Sequence, residues 1–210
     1  MKRIILPALL CLLLMACSAT ATTPAPATPV PPTNTPTGTI VLEGGGTSIR
    51  LPDTYFGGNN ENLDEVLQKL DDMGSAYENA ANVLKENHND YIIFAYDSRM
   101  GSTTNVTNIL IGTFSLAEDI TLESQTEALY TSYEDAGGTD ITSKTCKYED
   151  YECLEFQVTF STDQYSAQVL QYLIKKGKDA YMLTFSTGIS EFEQRYDEFS
   201  QDFSSFKINE

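Results

Sequence analysis

The 210-residue sequence has no tryptophan and only one histidine. One histidine cannot supply the several imidazole ligands of the common catalytic zinc sites or of a two-histidine iron site. His88 could serve a serine–histidine–aspartate triad, but the sequence has no G-x-S-x-G motif to hold the serine. We therefore interpret His88 as a solvated loop residue, and we predict neither a metal site nor a cofactor.

The usual phosphate and calcium motifs are also missing. Gly44-Gly45-Gly46 is not followed by the Lys-Ser/Thr pair of a P-loop. The oxygen-rich segments 97–101 and 149–150 lack the alternating ligand spacing of an EF-hand, and Arg99 would repel a cation. A carboxylate pair for glycoside hydrolysis stays open as an alternative, because the chain has 30 acidic residues. The absence of tryptophan platforms for sugars weakens that alternative.

Basic residues are scarce: 13 Lys and Arg face 30 Asp and Glu, for a formal net charge of −17. Lys2 and Arg3 precede the only long apolar run; without them the balance is 11 basic against 30 acidic residues, or −19. This charge argues against nucleic acid and anionic membrane surfaces as partners. The acidic residues are spread along the chain, which favours a solvated surface over recruitment of a cationic partner or a metal.

The one long apolar run, Ile4 to Met15, has 12 residues and follows Met1-Lys2-Arg3. A membrane-spanning helix needs about 20 apolar residues, so this pattern indicates a signal peptide. The segment Leu14-Met15-Ala16-Cys17 resembles the lipobox of bacterial lipoproteins. The resemblance implies a signal peptide at 1–16, a lipid attached to the Cys17 thiol, and a location on the extracytoplasmic face of a cell membrane. The alternative is an ordinary secretory signal in which Cys17 is incidental. Cys11 lies in the apolar run and would be removed.

Residues 17–38 are predicted to form a disordered tether that begins at the lipidated cysteine. The stretch after Cys17 holds six of the eight prolines, interleaved with threonine and alanine, and has no charged residue. Such a composition favours extended polyproline II and cannot build a core. At ~3.1 Å per residue it could hold a domain roughly 60 Å from the membrane. A passive linker is favoured over a proline-rich ligand motif. Residues 39–210 are then one globular domain.

Two cysteines remain in the domain, Cys146 and Cys153. They lie in two strand-like runs on either side of the polar segment 148–151, so a hairpin there would set them opposite each other. We predict a structural disulfide between them. A redox site is the weaker alternative, because it usually needs C-x-x-C at a helix start.

The apolar spacing predicts an α+β domain with the order strand, helix, two strands, helix, four strands, helix. The predicted strands are 47–51, 91–96, 106–114, the two strands of the cysteine hairpin, and the hairpin 165–174 with 179–186. Predicted helices cover 62–86, with Gly74-Ser75 able to bend or split the helix, and 122–136, and the last helix starts at Ser190. Asn62 with Glu65, and Ser190 with Glu193, are the predicted capping pairs. The last helix carries an aromatic stripe that we assign to the core: Phe192, Tyr196, Phe199 and Phe203.

This order resembles the Mog1/PsbP-like fold, an antiparallel sheet flanked by helices. The resemblance rests on the Ile49-Arg50-Leu51-Pro52-Asp53 opening, the two consecutive hairpins, and the last helix leading into residues 203–208. It implies an accessory or binding protein without shared catalytic residues.

The leading functional hypothesis is a non-catalytic binding or assembly module on the membrane surface, with an unidentified protein or small ligand as its partner. One alternative is an extracytoplasmic hydrolase, which would need a deep pocket with two acidic side chains of perturbed pKa. Another is a small solute-binding lipoprotein.

Overall fold

The computed structural model describes residues 38–99, 105–161 and 166–209. The predicted signal peptide, Cys17 and all but the last residue of the predicted tether lie outside these ranges. Within the described ranges, no helix is long and apolar enough to cross a membrane.

The described chain forms ten strands and four helices in two antiparallel sheets. A small sheet has the order β1-β2-β10, and a large one the order β3-β4-β5-β9-β8-β7-β6. The strands are β1 (Thr39–Gly44), β2 (Thr47–Pro52), β3 (Tyr55–Gly58), β4 (Ile93–Asp97), β5 (Asn108–Ser115), β6 (Gly138–Tyr148), β7 (Tyr151–Ser161), β8 (Ser166–Lys176), β9 (Asp179–Gly188) and β10 (Lys207–Ile208). The helices are α1 (Leu63–Asp72), α2 (Glu78–Asn87), α3 (Leu122–Asp135) and α4 (Ile189–Ser205).

The large sheet is covered on both faces. Successive residues of a strand point to opposite sides, so on β9 Leu183 and Phe185 pack towards α4 while Met182 packs towards α3. The small sheet joins α4 on the first side, which we call the α4 face. The pair α1–α2 covers the β3–β5 end of the other side, and α3 covers its β6–β8 end. We call this second side the α2–α3 face.

The predicted fold class, an antiparallel α+β domain flanked by helices, is confirmed. Both predicted hairpins form, with turns between β6 and β7 and between β8 and β9. The second turn uses Gly177 at φ +62°, a backbone conformation that glycine adopts without a steric penalty. The first helical segment is split as the sequence allowed, because Gly74 takes φ +91° between α1 and α2.

Both predicted capping pairs are wrong. Asn62 does precede α1, but its side chain makes no cap bond; its Oδ1 accepts from the backbone N–H of Asn59, at 2.9 Å. Helix α4 begins one residue early, at Ile189, with Gly188 in the cap position. The side-chain cap that exists was not predicted: Thr121 accepts from the N–H of Ser124 at the start of α3.

Strands β1, β3 and β10 were missed, each for a physical reason. Strand β3 reads YFGG, and glycine is a poor strand former; here a Cβ on Gly57 would lie 2.1 Å from the carbonyl oxygen of Phe94 on β4. Strand β10 has only two residues and pairs with β2. Strand β1 joins β2 through Gly45 and Gly46, both at positive φ as a tight hairpin turn requires.

The predicted disulfide is present in the β6–β7 hairpin. Cys146 and Cys153 are direct cross-strand partners, with their Cα atoms 4.8 Å apart and their sulfurs bonded. The bond therefore closes a hairpin whose register is also fixed by eight other cross-strand residue pairs.

We expect the Cys146→Ala/Cys153→Ala double variant to fold and to lose about 2 kcal/mol of unfolding free energy, because the closed loop is short. Chemical denaturation followed by circular dichroism measures the loss, and reduction of the native protein should reproduce it. Loss of the sheet signal in the double variant would show instead that the bond is required for folding.

Candidate functional site

Helix α4 buries two kinds of side chain against the sheet. The predicted aromatic stripe is confirmed as core: Phe192 and Phe199 are buried, and Tyr196 and Phe203 pack beside them. Interleaved with these rings, Arg195, Glu198 and Asp202 recur at steps of three and four, which places them on one side of the helix. This charged side meets the β3–β4 edge of the large sheet.

Asp97, at the end of β4, is the centre of the resulting charge cluster. It is 0 % exposed, and its carboxylate binds two guanidinium groups. Nε of Arg99 lies 2.8 Å from Oδ2 of Asp97, and Nη1 of Arg195 lies 2.6 Å from the same oxygen. Glu198 completes the set, because Nη2 of Arg99 lies 2.8 Å from its Oε1.

The cluster extends to Tyr55, the residue of β3 that pairs with Asp97. The Tyr55 hydroxyl donates to Oε1 of Glu198, at 3.1 Å. Burial, followed by the charge of Glu198, raises the pKa of Tyr55 well above its usual value, so this phenol stays protonated. Burial alone would lower the pKa of Arg99, but its hydrogen bonds to Asp97 and Glu198 outweigh that effect and raise it.

Asp202 lies beside these groups and behaves differently. Burial, with the nearby carboxylate of Glu198 as the second cause, raises the pKa of Asp202 from 3.8 to about 8. At neutral pH Asp202 is therefore mostly protonated, and the two arginines balance Asp97 and Glu198. Oδ2 of Asp202 and Nη2 of Arg195 are buried without a hydrogen-bond partner among the described residues.

The geometry of the cluster is that of a clamp, a set of ion pairs that holds α4 against the large sheet. The side chains of Asp97, Arg99 and Arg195 are at most 7 % exposed, and their charges are met by one another and by Glu198. A buried charge network of this kind holds its elements in one arrangement, because separating its members leaves uncompensated charges. Here it ties α4 to the β3–β4 edge.

A second polar contact ties α4 to the other half of the sheet. Nζ of Lys144 on β6 lies 2.8 Å from Oε1 of Glu155 on β7, and the Tyr196 hydroxyl of α4 lies 3.3 Å from the same oxygen. The hydrogen bond to Glu155 raises the pKa of Lys144. Helix α4 is thus fixed by polar groups on both sides of its aromatic stripe.

A cavity of about 80 Å³ lies on the opposite, α2–α3 face. Its lining combines small apolar side chains of α2 and the preceding turn with amide and hydroxyl groups, and includes Ala76, Ala80, Val83, Asn79, Asn108 and Ser186. It contains no carboxylate. The carboxyl group of Asp202, whose pKa is raised, lies on the α4 face. A hydrolase would need such a carboxyl group inside a pocket, and here the carboxyl group and the cavity lie on opposite faces of the sheet.

Two candidate ligands from the sequence, His88 and Glu149, lie in turns. His88 begins a short 3₁₀ turn after α2, and its Nδ1 lies 3.1 Å from the carbonyl oxygen of Lys85. Glu149 forms the β6–β7 turn and pairs with Lys207. Within the described ranges, no group of three or more His, Cys, Asp or Glu side chains could hold a metal ion. Cys17 lies outside those ranges.

Sequence reasoning noticed Asp97 and Arg99 but assigned them to a rejected calcium loop, and it missed their partners Arg195, Glu198 and Asp202. A usable signal was present: three charged residues at helical spacing fall between the aromatic residues of one helix. Their partner on β4 is about 100 residues away in the chain, a contact that periodicity cannot reveal.

No family model matches the chain, and no curated protein was found to be similar to it. Among solved structures, the chain resembles LpqN of Mycobacterium tuberculosis, with a TM-score of 0.53 and 10 % identity, over 87 % of this chain and 90 % of LpqN. It also resembles the cyanobacterial PsbP protein (CyanoP) of Synechocystis sp. PCC 6803, with a TM-score of 0.48 and 14 % identity over 78 % of this chain and 86 % of CyanoP. The LpqN match shows a shared fold. The CyanoP match is of the kind that the sequence resemblance led us to expect, but it is too weak to equate the two folds.

Proposed function

We propose that this protein is a lipid-anchored, extracytoplasmic accessory module that binds a partner and does not itself catalyse a reaction. The observation that carries the proposal is the charge cluster of Asp97, Arg99, Arg195 and Glu198. Its ion pairs join these four side chains to one another, between α4 and the sheet. These buried charged residues thus stabilise the fold of the domain.

The lipobox-like Leu14-Met15-Ala16-Cys17 and the proline-rich stretch after it support the membrane location. LpqN, whose fold is similar, is described as involved in cell envelope biogenesis. A domain on a charge-free tether of about 20 residues can meet its partner tens of ångströms from the lipid surface.

Replacing Cys17 with serine is expected to remove the anchor, because the hydroxyl is a much weaker nucleophile than the thiol that takes the lipid. The full chain is expressed in a bacterium with labelled palmitate, and membrane and non-membrane fractions are compared. We expect C17S to lose nearly all label and membrane retention. The matched control is Cys11→Ser, which lies in the predicted signal peptide and should behave like the native chain. Equal labelling of C17S and the native chain would contradict the proposed anchor.

Binding is tested by crosslinking intact cells that carry the native full chain and isolating what is attached to it. We expect a discrete partner that is also recovered with C11S. Recovery of nothing above the level of an unrelated lipid-anchored domain would contradict the binding function.

A further inference from the structure

The cavity on the α2–α3 face has a buried oxygen acceptor that lacks a donor among the described residues. Asn108 and Ser186 are cross-strand neighbours on β5 and β9, and both line the cavity. Nδ2 of Asn108 donates to the carbonyl of Val106, but its Oδ1 is buried without a partner among the described residues. Ser186 is 3 % exposed, and a hydroxyl oxygen has lone pairs that can accept a hydrogen bond. A group that donates hydrogen bonds would supply the missing partner of Asn108 Oδ1 and would lie within the same lining as the Ser186 hydroxyl.

The size of the cavity limits that group to a few heavy atoms. Its volume of about 80 Å³ is roughly half that of the ~150 Å³ cavity that binds benzene in another protein. Ala76, Ala80 and Val83 recur at helical spacing and form an apolar wall. The occupant therefore combines a short apolar stem with a small head rich in donors.

The charges of the helices that cover this side of the sheet favour a positive head. Residues 117–143, which include α3, carry seven exposed carboxylates and no lysine or arginine; the seven are Glu118, Asp119, Glu123, Glu127, Glu134, Asp135 and Asp140. Helix α1 exposes Asp64, Glu65, Asp71 and Asp72 against Lys69 alone. Because α1–α2 and α3 cover the same side of the sheet, their charges add to a negative field that attracts cations to this face.

We propose that this cavity binds the terminal ammonium group of a lysine side chain on a partner protein, with the acidic helices α1 and α3 guiding the approach. An ammonium has three donors and no acceptor, which matches Asn108 Oδ1 and the Ser186 hydroxyl. Its flexible methylene stem fits the wall of α2, whereas a guanidinium is a wider planar fork. The inference rests on the proposed binding function and names the chemistry of the partner.

A short oligolysine peptide is the probe, titrated by calorimetry against the full native chain at low salt, with an oligoarginine peptide of equal length for comparison. We expect oligolysine to bind more tightly than oligoarginine. Ala80→Leu fills the cavity, and Asn79→Leu narrows its exposed rim. Each should weaken oligolysine binding by about tenfold, the value of one hydrogen bond to a charged group. The second variant guards against a folding defect in the first, and circular dichroism checks both.

The matched charge control compares two double variants. Glu123→Gln/Glu127→Gln removes two exposed charges from α3, and Glu193→Gln/Asp197→Asn removes two from the opposite face, on α4. Only the α3 pair should weaken binding and flatten its salt dependence. Equal effects of the two pairs, or unchanged binding by both cavity variants, would show general charge attraction and overturn the proposal. If oligolysine does not bind while crosslinked cells still yield a partner, this inference alone fails; if both fail, the binding function fails too.

Discussion

Replacing Asp97 with asparagine is expected to lower the free energy of unfolding by about 3 to 5 kcal/mol, the usual cost of removing one partner from a buried ion pair. Asp97 is fully buried and binds both Arg99 and Arg195. Asparagine keeps the shape of the side chain but leaves two buried guanidinium groups facing the single carboxylate of Glu198. Urea denaturation at pH 7, followed by circular dichroism, measures the change.

The matched control for this experiment is Asp135→Asn, an exposed residue at the end of α3. Exposed substitutions of this kind usually change stability by about 0.5 kcal/mol or less. If D97N and D135N were equally stable, the cluster would not be a clamp, and the argument that its charges serve the architecture would have no support.

Replacing Asp202 with asparagine is expected to remove a pH dependence of stability. The folded pKa of Asp202 is about 8, against an ordinary value of 3.8. Between these values the folded state holds a proton that the unfolded chain releases. The stability of the native protein therefore falls as pH rises through this window, by at most about 1.4 kcal/mol per pH unit. Asparagine is neutral throughout and does not contribute this slope.

The test measures the unfolding free energies of the native chain and of D202N from pH 4 to pH 8.5. The result is the difference between the two free energies at each pH. We expect the two proteins to be closest in stability at pH 4 and D202N to gain steadily over the native chain as pH rises. Asp197→Asn, on the exposed side of α4, is the control and should show a nearly constant difference. A constant difference for D202N as well would mean that Asp202 is already ionised at neutral pH.

The elements that the sequence predicted correctly are those with a strong local signal. The aromatic stripe of α4 and the cysteine hairpin could both be predicted from residues that lie a few positions apart in the chain. Strands β3 and β10 were missed because their formation depends on neighbours supplied by distant parts of the chain. The close approach of Gly57 to the backbone of β4 is such a case.

The candidate sites were harder to predict than the fold. Arg195 and Asp97 meet only because α4 packs across the end of β4, and no periodicity relates two residues 98 positions apart. The cavity on the α2–α3 face likewise combines Ala80 of α2 with Ser186 of β9. Cys17 is the opposite case, because its predicted role rests on the adjacent residues 1–17 and does not depend on the folded domain.

The most direct test of a lipid-anchored module is mass spectrometry of the amino-terminal peptide, taken from the full chain after purification from bacterial membranes. The account predicts a chain that begins at Cys17 and carries a diacylglyceryl group on its sulfur. A mature chain that begins at another residue, or a Cys17 with a free thiol, would contradict it.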